Sequence, residues 1–122
     1  PLDYAALVGA IQRCYMLMTD SGGLQEEAPS LGKPVLVLRN TTERPEAIEA
    51  GTARLVGTEV EGIMTAASGL LEDPAQYRAM AMRINPFGDG HAAERIVERI
   101  HRFLSEPGED RELPEPSDTP VP

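Results

Sequence analysis

The sequence has no tryptophan, and its aromatic residues are Tyr4, Tyr15, Tyr77, Phe87 and Phe103. A core built from it must be aliphatic, drawn from Leu, Ile, Val, Met and Ala. Cys14 is the single cysteine, which excludes an internal disulfide and a cysteine-based metal cage and fits a reducing cytoplasm. No uninterrupted apolar run approaches the ~20 residues of a membrane-spanning helix, so no membrane partner is expected. No basic segment precedes a short apolar one in the manner of a secretory signal. Bases are scarce: Lys plus Arg number 11 against 20 Asp plus Glu, a formal charge of −9. Duplex binders neutralise phosphates with a basic face, so nucleic acid is not an expected partner. The chain opens Pro1-Leu2-Asp3 without a methionine, from which a piece of a longer protein is expected.

What is present is length for one domain: 122 residues. The charge is unevenly spread. Residues 106–122 hold six acids against one base, Arg111, a net of −5, and five of the 11 prolines. They have almost nothing apolar to bury and are expected to form a disordered acidic tail, a solubilising end or alternatively a partner-binding arm. Residues 1–105 are then the folded domain, with a charge of −4.

Within that domain the pattern alternates. Leu7, Val8 and Ile11 recur at helical spacing, with Asp3 placed as an N-cap. Residues 15–19 are an apolar run that stops at Asp20-Ser21-Gly22-Gly23, a strand entering a turn. Residues 24–31 read as a helix that stops at Gly32. Residues 34–38 form a continuous Val and Leu run, typical of a strand buried on both faces. A short helix over 45–50 begins at Pro45 and ends at Gly51, and a strand follows over 53–56. Residues 59–71 are amphipathic, Asp73-Pro74 separates them from another helix reaching about Arg83, and a turn over 85–90 leads into a final helix over 91–104. Strands alternating with helices define an α/β fold with a parallel sheet. Doubly wound sheets carry five or more strands, so a sheet showing three is expected to be incomplete.

In such sheets ligands sit outside the carboxyl ends of the strands. The first such end is Thr19 to Gly23, directly before a helix. Glycines allow close backbone approach, and a helix N-terminus offers free N–H groups and a positive dipole end. Ser21 can cap the helix or donate to a phosphate oxygen. The turn is thus a candidate anion site, or simply a strand-to-helix turn that needs glycine. It matches neither a Walker A loop nor Gly-x-Gly-x-x-Gly. Glu26 and Glu27 follow: acids favoured near a helix start, or ligands for ribose hydroxyls. The loop after the second strand carries Arg39 and Arg44, able to grip phosphate, or to pair on the surface as Arg39–Glu43 and Arg44–Glu46. His91 and His101 are wrongly spaced for joint metal ligation, and no metal or cofactor is expected; His101 reads as a surface residue, and His91 as a helix cap or a contact to another domain. Cys14 reads as an inert core residue, and Met16, Met18, Met64, Met80 and Met82 as core filler.

The run from Thr19 to Leu38, Thr41-Thr42-Glu43-Arg44-Pro45-Glu46, Ala50-Gly51-Thr52 and Leu55-Val56-Gly57 resembles the non-hydrolysing UDP-N-acetylglucosamine 2-epimerases. Pro1 to Tyr4 and Asn85 to Gly90 fit the same pattern, so the likeness spans residues 1–104 and leaves out the tail. The hydrolysing relatives carry a different, serine-rich turn. The resemblance implies a Rossmann-like parallel sheet with flanking helices, part of the C-terminal domain of a GT-B-type two-domain fold. It implies a UDP-sugar substrate, an N-terminal domain as partner, and a homodimer at full length. Carried over by position, Ser21, Gly22 and Gly23 bind the diphosphate, Glu27 the ribose hydroxyls, and Arg44 the nucleotide or its phosphates. Leu7 stands where the family often has an aromatic residue beside uracil.

The implied reaction interconverts UDP-N-acetylglucosamine and UDP-N-acetylmannosamine by elimination and readdition of UDP. The acid and base come chiefly from the N-terminal domain, so the chain alone is expected to be inactive. In the final helix, Phe103 and Leu104 are expected to expose apolar surface when that domain is missing. The rival readings are a UDP-sugar-dependent GT-B glycosyltransferase and a non-catalytic nucleotide-binding module.

Overall fold

The computed structural model of the chain describes residues 2–105. The elements run α1 (Tyr4–Arg13), β1 (Leu17–Thr19), α2 (Gly22–Ser30), β2 (Val35–Val37), α3 (Pro45–Glu49), β3 (Ala53–Leu55), α4 (Val60–Glu72), α5 (Pro74–Ala81) and α6 (Ala92–Ser105). The chain divides into two units, residues 1–89 and 90–122. The tail expected over 106–122 lies outside the described residues.

In the first unit the three strands are parallel, in the order β1-β2-β3, with Leu17 opposite Val35 and Val35 opposite Ala53. The central strand is buried throughout, as its unbroken apolar run predicts. Alternation sends its side chains to opposite faces. Val35 and Val37 join Ile11, Ala28, Ala47 and Ala53 on the face covered by α1, α2 and α3. Leu36 joins Ala66, Leu70 and Met80 on the face covered by α4 and α5. The fold is therefore α/β, a parallel sheet between two helical layers with an aliphatic core. Fully burying a side chain such as Leu36 or Leu70 stabilises it by about 1.5–3 kcal/mol.

The starts of α1 and α5 follow from their caps. Asp3 accepts a hydrogen bond from the Ala6 N–H at 2.8 Å and starts α1. Asp73 closes α4 and accepts from the Ala75 N–H at 2.8 Å to start α5. Gly51 ends α3 with φ +76°, a left-handed conformation that glycine adopts without strain.

Several expectations need correction. β1 begins at Leu17, because Tyr15 instead stacks on Tyr77 with ring centroids 4.2 Å apart. Cys14 is only half-buried: it caps the C-terminus of α1, and its thiol donates to the Ile11 carbonyl at 3.1 Å. Of the methionines, Met80 is in the core and Met16 packs against it, whereas Met18, Met64 and Met82 are exposed. The second unit contributes α6, whose residues Ile96, Ile100 and Phe103 share one helical face by spacing. Phe103 and Leu104 are exposed, as expected.

Candidate functional site

Parallel strands bring their carboxyl ends to one edge of the sheet. There β1 ends at Thr19, β2 at Val37 and β3 at Leu55. The segments leaving that edge are tied to one another. The Leu38 N–H donates to the Thr19 carbonyl at 3.0 Å, and the Gly57 N–H to the Arg39 carbonyl at 3.2 Å. The Ser21 N–H donates to Thr19 Oγ1 at 3.0 Å, which folds the turn sharply into α2.

α2 starts earlier than the sequence suggests, at Gly22 rather than Leu24, so both glycines lie in its first turn. Ser21 is its N-cap residue, yet the Ser21 side chain makes no capping hydrogen bond. The first helical bond runs from the Gln25 N–H to the Ser21 carbonyl. The N–H groups of Gly22, Gly23 and Leu24 precede it and are the ordinary unsatisfied donors of a helix start. A Cβ placed on Gly22 would come no nearer than 4.0 Å to its neighbour, Arg44 Nη2, and one on Gly23 no nearer than 3.9 Å to Ser21 Oγ. The space in front of the turn is open, and a guanidinium stands at its border.

That guanidinium is held from two sides. Arg44 Nε donates to Glu26 Oε1 on α2, and Nη1 donates to the Glu43 carbonyl at 3.0 Å. The Arg39–Glu43 pair forms at 2.7 Å as expected. The expected Arg44–Glu46 pair gives way to Arg44–Glu26, because Glu46 lies in the first turn of α3, where the helix start already favours an acid. The Glu43 carboxyl is held below the usual range by its own backbone N–H and then by Arg39.

The two neighbouring acids of α2 differ. Glu26 has Arg44 as partner, whereas Glu27 Oε2 is buried without a hydrogen-bond partner. A buried acceptor left unsatisfied costs about 1–3 kcal/mol, more when charged, and such an atom calls for a donor from a ligand or water. Leu7 is half-buried in α1 and packs on the cluster of Ile11, Ala28, Val35 and Val37. His91 stands before α6, with Nδ1 3.0 Å from Glu94 Oε2, and His101 is exposed. Among the described residues no group of three or more His, Cys, Asp or Glu side chains is placed to hold a metal ion. Among them, too, no helix is long and apolar enough to cross a membrane.

Gln25, not among the residues expected at the site, is fully buried. Its Nε2 donates to the Ser21 carbonyl at 3.3 Å and its Oε1 accepts from the Thr42 hydroxyl at 2.6 Å. Thr42 Oγ1 in turn accepts from the Arg44 N–H at 3.0 Å. The signal was available: Gln25 shares a helical face with Ala28 and Pro29, both buried.

The architecture is that of a Rossmann-like α/β domain with a candidate ligand site at the carboxyl edge of its sheet. A family model described as UDP-N-acetylglucosamine 2-epimerase matches residues 1–101, and the chain belongs to that family. The chain is 53% identical over 100 residues to the UDP-N-acetylglucosamine 2-epimerase of Escherichia coli K12, covering 82% of this chain and 27% of that one. It superimposes on the Neisseria meningitidis UDP-GlcNAc 2-epimerase bound to UDP-GlcNAc with a TM-score of 0.81 and 50% identity, covering 84% of this chain and 28% of that one. It matches the S. aureus MnaA–UDP co-structure with a TM-score of 0.80 and 46% identity, covering 98% of this chain and 31% of that one. The chain thus spans under a third of the length of these relatives. Their fold is GT-B-like, and the Rossmann-like class expected of this chain is the one found.

Proposed function

We propose that this chain is the UDP-binding portion of a non-hydrolysing UDP-N-acetylglucosamine 2-epimerase, a cytoplasmic enzyme interconverting UDP-N-acetylglucosamine and UDP-N-acetylmannosamine. Residues 1–105 belong to the C-terminal nucleotide-binding domain. An N-terminal domain closes the cleft, and the full-length enzyme is a homodimer.

The observation that carries the reading is the orphaned Glu27 Oε2, on the same helix whose first turn is the open glycine turn. A ribose hydroxyl satisfies that acceptor. The diphosphate lies against Ser21, Gly22 and Gly23, where the unsatisfied N–H groups of the first turn of α2 and the helix dipole favour negative charge. Arg44, bordering the turn, adds a fixed positive charge. Leu7 lies beside the uracil.

In the reaction a base takes the C2 proton, the C1–O bond to UDP breaks, and the C2–H electrons form the C1=C2 bond of a 2-acetamidoglucal. Readdition returns UDP oxygen to C1 and a proton to the opposite face of C2. Negative charge grows on the leaving diphosphate, so the α2 N–H groups and Arg44 act most strongly in the transition state. The base and acid at the sugar come from the rest of the enzyme, and the chain alone is inactive. Calorimetric titration with UDP tests the site: wild type binds, and Arg44→Ala and Gly22→Ala both weaken binding. UDP affinity indifferent to both changes overturns it. Epimerisation of UDP-N-acetylglucosamine by the 122-residue chain alone overturns the division of labour.

A further inference from the structure

We infer that Gln25 is a positioning residue, which locks the glycine turn and the Arg44 loop into one anion-binding unit through Thr42. The inference rests on the UDP-site reading above.

The geometry leaves a single polarity for this chain of hydrogen bonds. The Ser21 carbonyl can only accept, so the Gln25 amide must turn its NH2 group toward it. That leaves Gln25 Oε1 facing the Thr42 hydroxyl, which spends its only proton there at 2.6 Å. The Thr42 oxygen is then free to accept from the Arg44 N–H at 3.0 Å. Every link has one available direction, so the chain works as a unit from the N-cap carbonyl of α2 to the backbone of Arg44.

Each end of the chain belongs to one wall of the site. Ser21 precedes the free N–H groups of α2, and Arg44 carries the guanidinium that stands 4.0 Å from the Cβ position of Gly22. The Gln25 side chain is fully buried, where an amide without partners is costly, so its hydrogen bonds are made whenever the domain is folded. Gln25 touches neither the space before the turn nor the ligand in it. Its action is to fix the separation of two groups that grip the same diphosphate, and binding then costs less ordering. The Glu26–Arg44 pair restrains the guanidinium end, whereas Gln25 and Thr42 restrain the backbone that carries it.

The test uses the whole chain with UDP as probe, comparing wild type, Gln25→Met, Thr42→Val, Thr42→Ser and the Gln25→Met/Thr42→Val double variant. Thr42→Val removes the hydroxyl at a half-buried position with little change in volume, so it tests the link even where Gln25→Met loosens the fold. The expected result is a loss of about tenfold in UDP affinity for Thr42→Val and for Gln25→Met. Thr42→Ser, which keeps the hydroxyl, stays within about twofold of wild type. The double variant is no weaker than the weaker single one, as for members of one unit. The inference is overturned if Thr42→Val binds UDP like wild type, if Thr42→Ser is as weak as Thr42→Val, or if the two losses multiply. A wild-type chain that does not bind UDP is a different result: it removes the UDP site itself.

Discussion

Arg44 and Glu26 form an ion pair across 18 residues of sequence, joining the loop after β2 to the helix after β1. Both side chains are more than a third exposed, so the pair contributes less than about 1 kcal/mol to stability. The guanidinium matters for what it faces. Arg44→Ala is expected to lower UDP affinity about 10- to 100-fold, the worth of a charge-assisted contact, while shifting unfolding free energy by less than about 1 kcal/mol. Arg44→Lys keeps the charge but not the planar fork and falls between. Calorimetry and urea unfolding on the same samples separate the two effects. A stability loss larger than the binding loss sinks the assignment.

Gly22→Ala separates binding from folding in the opposite sense. Gly22 is in the first turn of α2, its φ is not left-handed, and a Cβ there meets nothing closer than Arg44 Nη2 at 4.0 Å. Alanine is the better helix former, so the melting temperature is expected to hold or rise. The methyl group occupies space the diphosphate needs, so UDP affinity is expected to fall. Gly51→Ala is the control. There φ is +76°, a left-handed conformation costly for any residue with a Cβ, while the Cβ itself meets only Arg83 Nε at an ordinary contact distance of 3.5 Å, so that variant is expected to lose about 1 kcal/mol of stability and leave UDP affinity unchanged. Equal melting temperatures for the two variants would refute this account of the turn.

The elements were legible where local chemistry decides them. The Val35 to Val37 run announces a buried strand, Asp3 and Asp73 announce helix starts, and Gly51 announces a helix end. The glycine turn and the Arg44 loop were legible as loops on one edge, because parallel strands leave no other place for them. Their connections were not. Arg44 finds Glu26 18 positions away, Thr42 finds Gln25 17 away, and Tyr77 finds Tyr15 62 away. Such pairings depend on register and layer spacing, which no local pattern encodes. Met18 and Met64 misled because an apolar side chain at regular spacing reads as core whether or not an element covers it.

Leu36 is the most informative place to probe the sheet. It is fully buried in the central strand and packs on the α4–α5 face with Leu70 and Met80. Leu36→Ala leaves a cavity beneath two helices and is expected to cost about 2–5 kcal/mol. That is a large share of the roughly 5–15 kcal/mol that holds a domain together. Chemical denaturation measures it. A loss under about 1 kcal/mol would mean that this face collapses around the gap or is not packed as described.

Tyr77 links the second helical layer to the segment before β1. Its hydroxyl donates to the Tyr15 carbonyl at 3.0 Å, its ring stacks on Tyr15, and the Tyr15 hydroxyl donates to the Leu70 carbonyl at 3.1 Å. Burial first, then Tyr15 and Cys14, push the Tyr77 hydroxyl above the ordinary tyrosine pKa. In the unfolded chain it ionises near the usual value of about 10. Folding therefore retains a proton that the unfolded chain gives up. The stability from this group is complete below that value and is lost as pH rises through the higher folded one. Unfolding free energy measured across this alkaline range is expected to fall more steeply for wild type than for Tyr77→Phe, which has no proton there to lose. At neutral pH the same substitution costs about 1 kcal/mol through the lost hydrogen bond. Parallel alkaline slopes for the two proteins would show that the Tyr77 hydroxyl titrates freely and that the contact to Tyr15 does not hold it.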